Sequence, residues 1–324
     1  MPQGLPPEFA LIARHFLPLA GPGALGLGDD AALLDPPPGR QIVIAADAMV
    51  AGVHFLPDDP PETIGRKLLR CNLSDLAAMG AAPLAYLLTA SLPRGLPADW
   101  IERFSAGLAA DQAEFGLQVL GGDTTSTPGP ITLSLTILGQ VVPGQALRRV
   151  GAMPGQDVWV SGSIGDGTLG LAVLQGELPA DDAGFLAERY RLPRPRLGLG
   201  QALVGLAMAA MDVSDGLVQD LGHLCRAGGC AAEIRAADVP LSAAARALLA
   251  ADSALLPRIL TGGDDYELLF AAPPEAAAEI AARAAAQGVA ATRIGRFLAG
   301  EPAVTVLDHA NRTLPLARGG WSHF

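Results

Sequence analysis

The chemistry in this chain is carried by aspartate. Asp29 and Asp30 sit side by side in "GLGDDAALL" (26–34), Asp123 lies in "LGGDTTST" (120–127), and Asp264 and Asp265 lie in "LTGGDDYELLF" (260–270). Each group follows glycine, and a glycine beside an acid lets a phosphate or an ion approach the backbone closely. Asp47 closes the apolar run "IVIAAD", Asp123 closes "VLGGD", Asp212 follows "AAM", and Asp215 opens a helix shortly after it. In layered α/β proteins the ends of strands are where ligand crevices form. Hard oxygen ligands grouped this way suit Mg2+, which takes carboxylates, waters and substrate phosphates. Any one of these residues could serve as a plain turn or cap. The set together points to metal.

Metal at such a site would serve phosphate chemistry. The chain has no GxxxxGK[ST] loop, and Lys67 is its only lysine, so phosphate charge has to be met by another agent. Divalent ions held by carboxylates supply it, and they are the usual partners of a transferring phosphoryl group. The loop "SGSIGDG" (161–167) could help to cradle phosphates, with tight strand-to-helix packing as its competing use. Asp75 is a further candidate. Seven residues turn a helix by about 700°, so Asp75 falls within about 20° of Leu68, on the apolar stripe of the segment after residue 61. A carboxylate there is costly unless it is paired or bound to metal. The alternative is a helix broken near Asn72, with Ser74 and Asp75 capping a second piece.

The elements that must hold these acids alternate along the chain. "QIVIAAD" reads as a strand, "PETIGRKLLRCNLSDLAAMG" as a helix, "PLAYLLTASL" as a strand and "PADWIERFSAGLAADQAEFG" as a helix. "LQVLGGD" and "ITLSLTILGQVV" read as strands on either side of a Gly-Asp-Thr corner. The Pro- and Gly-rich "VPGQALRRVGAMPGQ" then marks a boundary, giving domains over 1–148 and 149–324. The second half restarts with "DVWV", a glycine loop and a helix. It continues through "DVSDGLVQDLGHLCRAGG", "CAAEIR", "YELLFAA", an Ala-rich helix, "ATRIGRF" and "AVTVLD". Interleaved strands and helices in both halves define an α/β (α+β) class with two layers per domain.

Totals bound the partners. At 324 residues there is room for two cores, and a net charge of −11 with pI about 4.8 argues against nucleic acid. Cys71, Cys225 and Cys230 are odd in number and lack CxxC spacing, which excludes a disulfide framework and a zinc site and fits a reducing cytosol. No basic segment precedes an apolar core near the N-terminus, and the longest apolar stretch, 76–92, is broken by Gly80 and Pro83. The expectation is a cytoplasmic protein with no membrane partner.

In order and spacing, "FALIARHF", "GLGDDAALL", "DAMVAGVHFLPD", "NLSDLAAMGAAP", "GGDTT", "ALRRVGAMPGQ", "DVSDGLVQDLGHL", "GGDDYELLF" and "GGWSHF" resemble the thiamine-monophosphate kinase family. That family belongs to the ATP-dependent superfamily that includes aminoimidazole ribonucleotide synthetase. The resemblance implies a two-domain homodimer, each domain a mixed sheet packed with helices. The N-terminal domain would bind ATP and Mg2+ and dimerise, and the C-terminal domain would complete the active-site cleft. It further implies magnesium ligands at Asp30, Asp47, Asp75, Asp123, Asp212 and Asp215, ATP contacts at Gly122, Asp123, Arg149 and Ser214, and thiamine monophosphate bordered by His54, Asp264 and Trp321. Asp30, Asp75, Asp212 and Arg149 would carry catalysis. The reaction implied is transfer of the γ-phosphoryl group of ATP to thiamine monophosphate, giving thiamine diphosphate.

Three positions depart from the family pattern. Ala45 and Ala46 stand where Ser or Thr often precedes the aspartate, so a metal ligand at Ala46 has to be its main-chain carbonyl. Asp264 replaces the usual Glu of "GGEDYE" and is one methylene shorter, and the tail aromatic at Trp321 varies. "GGDDYE" is also similar to the GGDEF signature of diguanylate cyclases, but that motif occupies a hairpin in a separate domain and leaves the other aspartates unexplained. Selenophosphate synthetase would need a reactive Cys and a Lys near the N-terminus, and the hydrogenase-maturation relative a cysteine-bearing tail. Neither is here. Another enzyme of the superfamily, or a non-catalytic nucleotide-binding homologue, is the alternative reading.

Overall fold

In the computed structural model, the described residues are 8–97, 99–317 and 319–321. They divide into two compact units, one of 1–76 and 82–143, the other of 77–81 and 144–324.

The first unit contains a short helix α1 (Glu8–Leu11), then β1 (Gln41–Val50), α2 (Pro61–Ala78), β2 (Ala82–Pro93), α3 (Trp100–Phe115), β3 (Gln118–Thr127) and β4 (Thr132–Val141). Its sheet has the order β1-β4-β2-β3, with β2 and β3 parallel and the other pairs antiparallel. On β4 the burial alternates strictly, with Leu133, Leu135 and Ile137 fully buried on one face. That period of two is what a half-covered antiparallel strand shows. Where α2 and α3 cross, a Cβ on Gly107 would come within 2.1 Å of Glu62 O, so only glycine permits the approach. The crossing is tied by Arg66 and Arg70, whose Nε atoms each donate to the buried Asp111 carboxylate at 2.7 Å.

α2 runs unbroken from Pro61 to Ala78. The alternative of a break near Asn72 is excluded: Asn72 is buried inside the helix and its Nδ2 donates to Leu68 O at 2.9 Å. Two strands run further than their apolar runs indicate. Asp47 and Asp123 lie inside β1 and β3, not at their ends. Three further residues follow Asp47 in β1, with Asp47 registered on Leu135, and β3 continues to Thr127 past a register shift at Tyr86/Leu87.

The second unit contains β5 (Asp157–Ser161), α4 (Asp166–Leu174), α5 (Phe185–Arg191), α6 (Leu197–Ala202), β6 (Ala209–Asp212), α7 (Leu217–Gly228), β7 (Ala231–Arg235), α8 (Ala243–Ala251), α9 (Leu256–Thr261), β8 (Leu268–Ala272), α10 (Ala277–Ala286), β9 (Ala291–Leu298) and β10 (Val304–Leu307). The sheet order is β10-β7-β9-β5-β8-β6, parallel only between β10 and β7. The inner strands β5 and β8 are buried at every residue, as strands covered on both faces are. Leu217, Leu221, Leu224 and Cys225 of α7 join their core.

Candidate active site

In the first unit, Asp29, Asp30 and Asp123 line one cavity of about 620 Å3, together with Gly121, Gly122, Thr124 and apolar side chains that include Phe16, Leu87 and Leu138. The segment before the acids is tied to β3, where Gly21 N donates to Val119 O at 3.0 Å, and the segment folds back on itself as Leu33 N donates to Gly23 O at 2.8 Å. Leu25 and Leu27 both have left-handed backbones, with φ 51° and 54°. Such strain in non-glycine residues persists where surroundings over-determine it, and it clusters at ligand sites. Gly122 marks the closest backbone approach, since a Cβ there would meet Leu88 O at 1.7 Å.

Asp47 is half-buried on the edge strand β1, and burial raises its carboxyl above the usual range. No hydrogen bond or ion pair among the described residues offsets that cost. Ala46 precedes it with its side chain exposed. On an edge strand every second residue turns its carbonyl away from the ladder, which leaves main-chain oxygens available as ligands. Asp75 is half-buried within the last turns of α2. His54 sits in a tight turn: its Nδ1 accepts the Val50 N–H at 3.0 Å, and its carbonyl accepts from the buried Lys67 Nζ at 2.9 Å. A neutral His54 ring therefore carries its proton on Nε2.

In the second unit, Asp212, Ser214, Asp215, Asp264 and Trp321 come together. Asp212 ends β6 and is buried. The loop after it is shaped by Asp220, a residue the sequence reading passed over. One oxygen of its buried carboxylate accepts the N–H groups of Ser214, Asp215 and Gly216, each at 3.1 Å. Asp264 N donates to Ser214 O at 2.9 Å and Trp321 N to Asp215 O at 2.9 Å. Gln219 Nε2 bridges the Asp215 carboxylate at 3.2 Å and Trp321 O at 2.6 Å. The main chain of the tail is thus anchored while the indole is 51% exposed. Residues 322–324 of "GGWSHF" lie outside the described residues. Arg149 is exposed, and it and Arg226 act with burial to lower the pKa of His223, which Asp215 acts to raise. Arg149 therefore lies within electrostatic range of His223 on α7.

The doubled acids of "GGDDYE" have divided roles. Asp264 and Tyr266 are half-buried, while Asp265 is fully buried and accepts from Gly165 N at 2.7 Å and Gly167 N at 3.0 Å. The amides at the start of α4 are therefore occupied by a side chain, and the "SGSIGDG" loop is not a phosphate cradle. Glu267, Arg189, Arg196 and Asp166 extend this buried cluster. Asp220 stands five residues after Asp215, outside the spacing of a capping box, so the sequence carried no capping signal for it. Asp265 and Glu267 gave none.

The donor chemistry fits magnesium. Burial, with repulsion from Asp212 and Asp215, pushes the Asp220 carboxyl up to about 7, so this loop gathers negative charge that a cation would relieve. Among the described residues no three His, Cys, Asp or Glu side chains converge tightly enough to hold an ion alone.

Comparison with known proteins identifies the family. Residues 28–141 match the N-terminal domain and residues 153–307 the C-terminal domain of AIR synthase related proteins, which is the class the fold defines. The chain is 44% identical over 328 residues to the thiamine-monophosphate kinase of Caulobacter vibrioides, covering 99% of this chain and 92% of the relative. The crystal structure of thiamine-monophosphate kinase from Stenotrophomonas maltophilia K279a superposes with a TM-score of 0.83 at 44% identity, over 94% of this chain and 97% of that one. AaThiL complexed with AMPPCP and TMP superposes with a TM-score of 0.78 at 31% identity, over 92% and 91%. The chain belongs to the thiamine-monophosphate kinase family. Among the described residues no helix is long and apolar enough to cross a membrane, and the three cysteines are free and buried.

Proposed function

We propose that the protein transfers the γ-phosphoryl group of ATP directly to thiamine monophosphate, producing thiamine diphosphate and ADP. The observation that carries this reading is the 44% identity to a thiamine-monophosphate kinase across 99% of the chain. In the first unit, Asp30, Asp47, Asp75, Asp123 and the Ala46 carbonyl would hold magnesium, with Asp212 and Asp215 doing so in the second. When bound, the ions neutralise phosphate charge and orient the transferring group. Gly122 lets a phosphate approach its backbone, and Asp123 and Ser214 lie beside the nucleotide. Arg149 offers a planar fork of donors suited to phosphate oxygens.

No general base is required, because the accepting phosphate is already ionised near neutral pH. The task is to align two polyanions, which is a matter of positioning and charge. His54, with its proton on Nε2, supplies a donor to the acceptor and no base. Asp264 orients the acceptor, and the exposed Trp321 face would stabilise its thiazolium by about 0.5–2 kcal/mol.

We place the enzyme in the cytoplasm, where ATP is available and buried free thiols persist, and we propose that it works as a homodimer. Support for the dimer is the open face of the first unit's sheet, where Ile44 is 65% and Leu87 39% exposed. The test is a coupled assay with ATP, Mg2+ and thiamine monophosphate, with and without EDTA. Metal-dependent thiamine diphosphate is expected. ATP binding without product would refute the substrate, and absence of ATP binding would refute the nucleotide site.

A further inference from the structure

The loop 262–267 alternates between two environments. Asp264 and Tyr266 have left-handed backbones, φ 71° and 52°, which residues bearing a Cβ adopt only at a cost. The residue between them, Asp265, and the next, Glu267, are fully buried. Backbone strain of this kind persists only where its surroundings over-determine it. Here the surroundings are a fork of arginines. Arg189 Nη2 donates to the Asp265 carbonyl and to the Glu267 carboxylate, each at 3.1 Å. Arg196 Nε and Nη2 grip the same carboxylate at 2.6 and 2.5 Å, and Ser161 Oγ adds a bond at 2.6 Å.

The outward side shows what is being held. Tyr266 OH donates to Asp264 Oδ1 at 3.4 Å, and the Asp264 and Tyr266 amides donate to Ser214 O and Val213 O at 2.9 and 2.8 Å. Main-chain hydrogen bonds thus tie the loop to the 213–214 segment. We propose that Glu267, Arg189 and Arg196 are positioning residues for acceptor recognition: they fix the strained loop from beneath so that Asp264 is pre-set toward the thiamine phosphate. This rests on the reading above that Asp264 borders that substrate. Pre-setting a side chain removes the ordering cost that binding would otherwise meet. Ser214 is held independently by Asp220, whose carboxylate accepts its amide at 3.1 Å, so the lock should act chiefly on acceptor affinity and only weakly on nucleotide affinity.

The test uses the full chain with R196K, which keeps the charge but loses the fork, and R196Q, which loses both. Hydrogen exchange at the amides of Asp264 and Tyr266 is followed without substrate, and KM is measured for each substrate. Loss of a charge-assisted pair should speed exchange at those two amides about tenfold, raise KM for thiamine monophosphate about tenfold and leave KM for ATP within about twofold. R196Q should exceed R196K, and if R196Q does not fold, R196K decides. Unchanged exchange and KM would overturn the proposal, as would equal rises in both KM values with a general loss of protection. A wild type that makes no thiamine diphosphate would instead refute the functional reading, while the exchange data would still report on the lock.

Discussion

Gly121 and Gly122 are neighbours on the wall of one cavity, yet alanine should be tolerated at only one of them. A Cβ on Gly122 would meet Leu88 O at 1.7 Å and Leu88 C at 2.6 Å, whereas ordinary contact begins at 3.4 Å. Leu88 is its registered partner on β2, so the two strands would have to part by roughly 1.5 Å. β3 lies at the edge of its sheet and is the strand that can give way. Overpacking costs about 1–3 kcal/mol, and the unusual backbone at φ 154° adds about 1 kcal/mol for a residue with a side chain. A loss of about 3 kcal/mol is large against a typical stability of about 5–15 kcal/mol. It should lower the melting of the first unit by about 10 °C. On Gly121 the nearest neighbour of an added Cβ is Leu87 Cδ2 at 3.6 Å, an ordinary contact. G121A should cost under about 1 kcal/mol. The assays are calorimetry and the KM for ATP, which should rise roughly tenfold in G122A as Asp123 is displaced, and by less than about threefold in G121A. If G122A melts and binds ATP like G121A, the close approach of β3 to β2 is wrong, and so is the argument from it.

Asp75→Asn and Asp212→Asn should each lower turnover by roughly a hundredfold or more while leaving the circular-dichroism spectrum unchanged, since each would remove a proposed ligand charge from phosphoryl transfer; near-normal turnover in either would remove that residue from the proposed metal set. Asp29→Asn should cost less activity than Asp30→Asn although both line the cavity, and the reverse order would move the ligand to Asp29. Asp220 gives a pH signature. Its carboxyl is raised in the folded protein to about 7, above its unfolded value, so its contribution is full at low pH and is lost as pH rises through that value. Metal-free protein should lose thermal stability from about pH 4 to about pH 7, and Asp220→Asn should flatten that slope. An equally steep slope in the variant would assign it to other groups.

What the sequence made legible, and what it hid, follows from the range of each signal. Helix α2 was readable from its apolar stripe, but its continuity past Asn72 was not: only the structure shows Asn72 bonded inside an unbroken helix, with Asp75 half-buried in its last turns. The extents of β1 and β3 were not readable. Glycine and aspartate have low strand propensity, and they stay in β3 because pairing with β2 overrides it. The division of labour within "GGDDYE" was hidden for a deeper reason. Which of two adjacent acids turns inward depends on left-handed residues on either side, and these are imposed by amides and arginines distant in sequence. The outcome has a common logic in the second unit. Asp265 and Asp220 each bind backbone N–H groups of a loop, and their neighbours Asp264 and Asp215 remain half-buried. An acid that ties down the backbone stiffens the loop before any substrate arrives, and in the phosphoryl transfer proposed above such stiffness would help to align the two like-charged substrates.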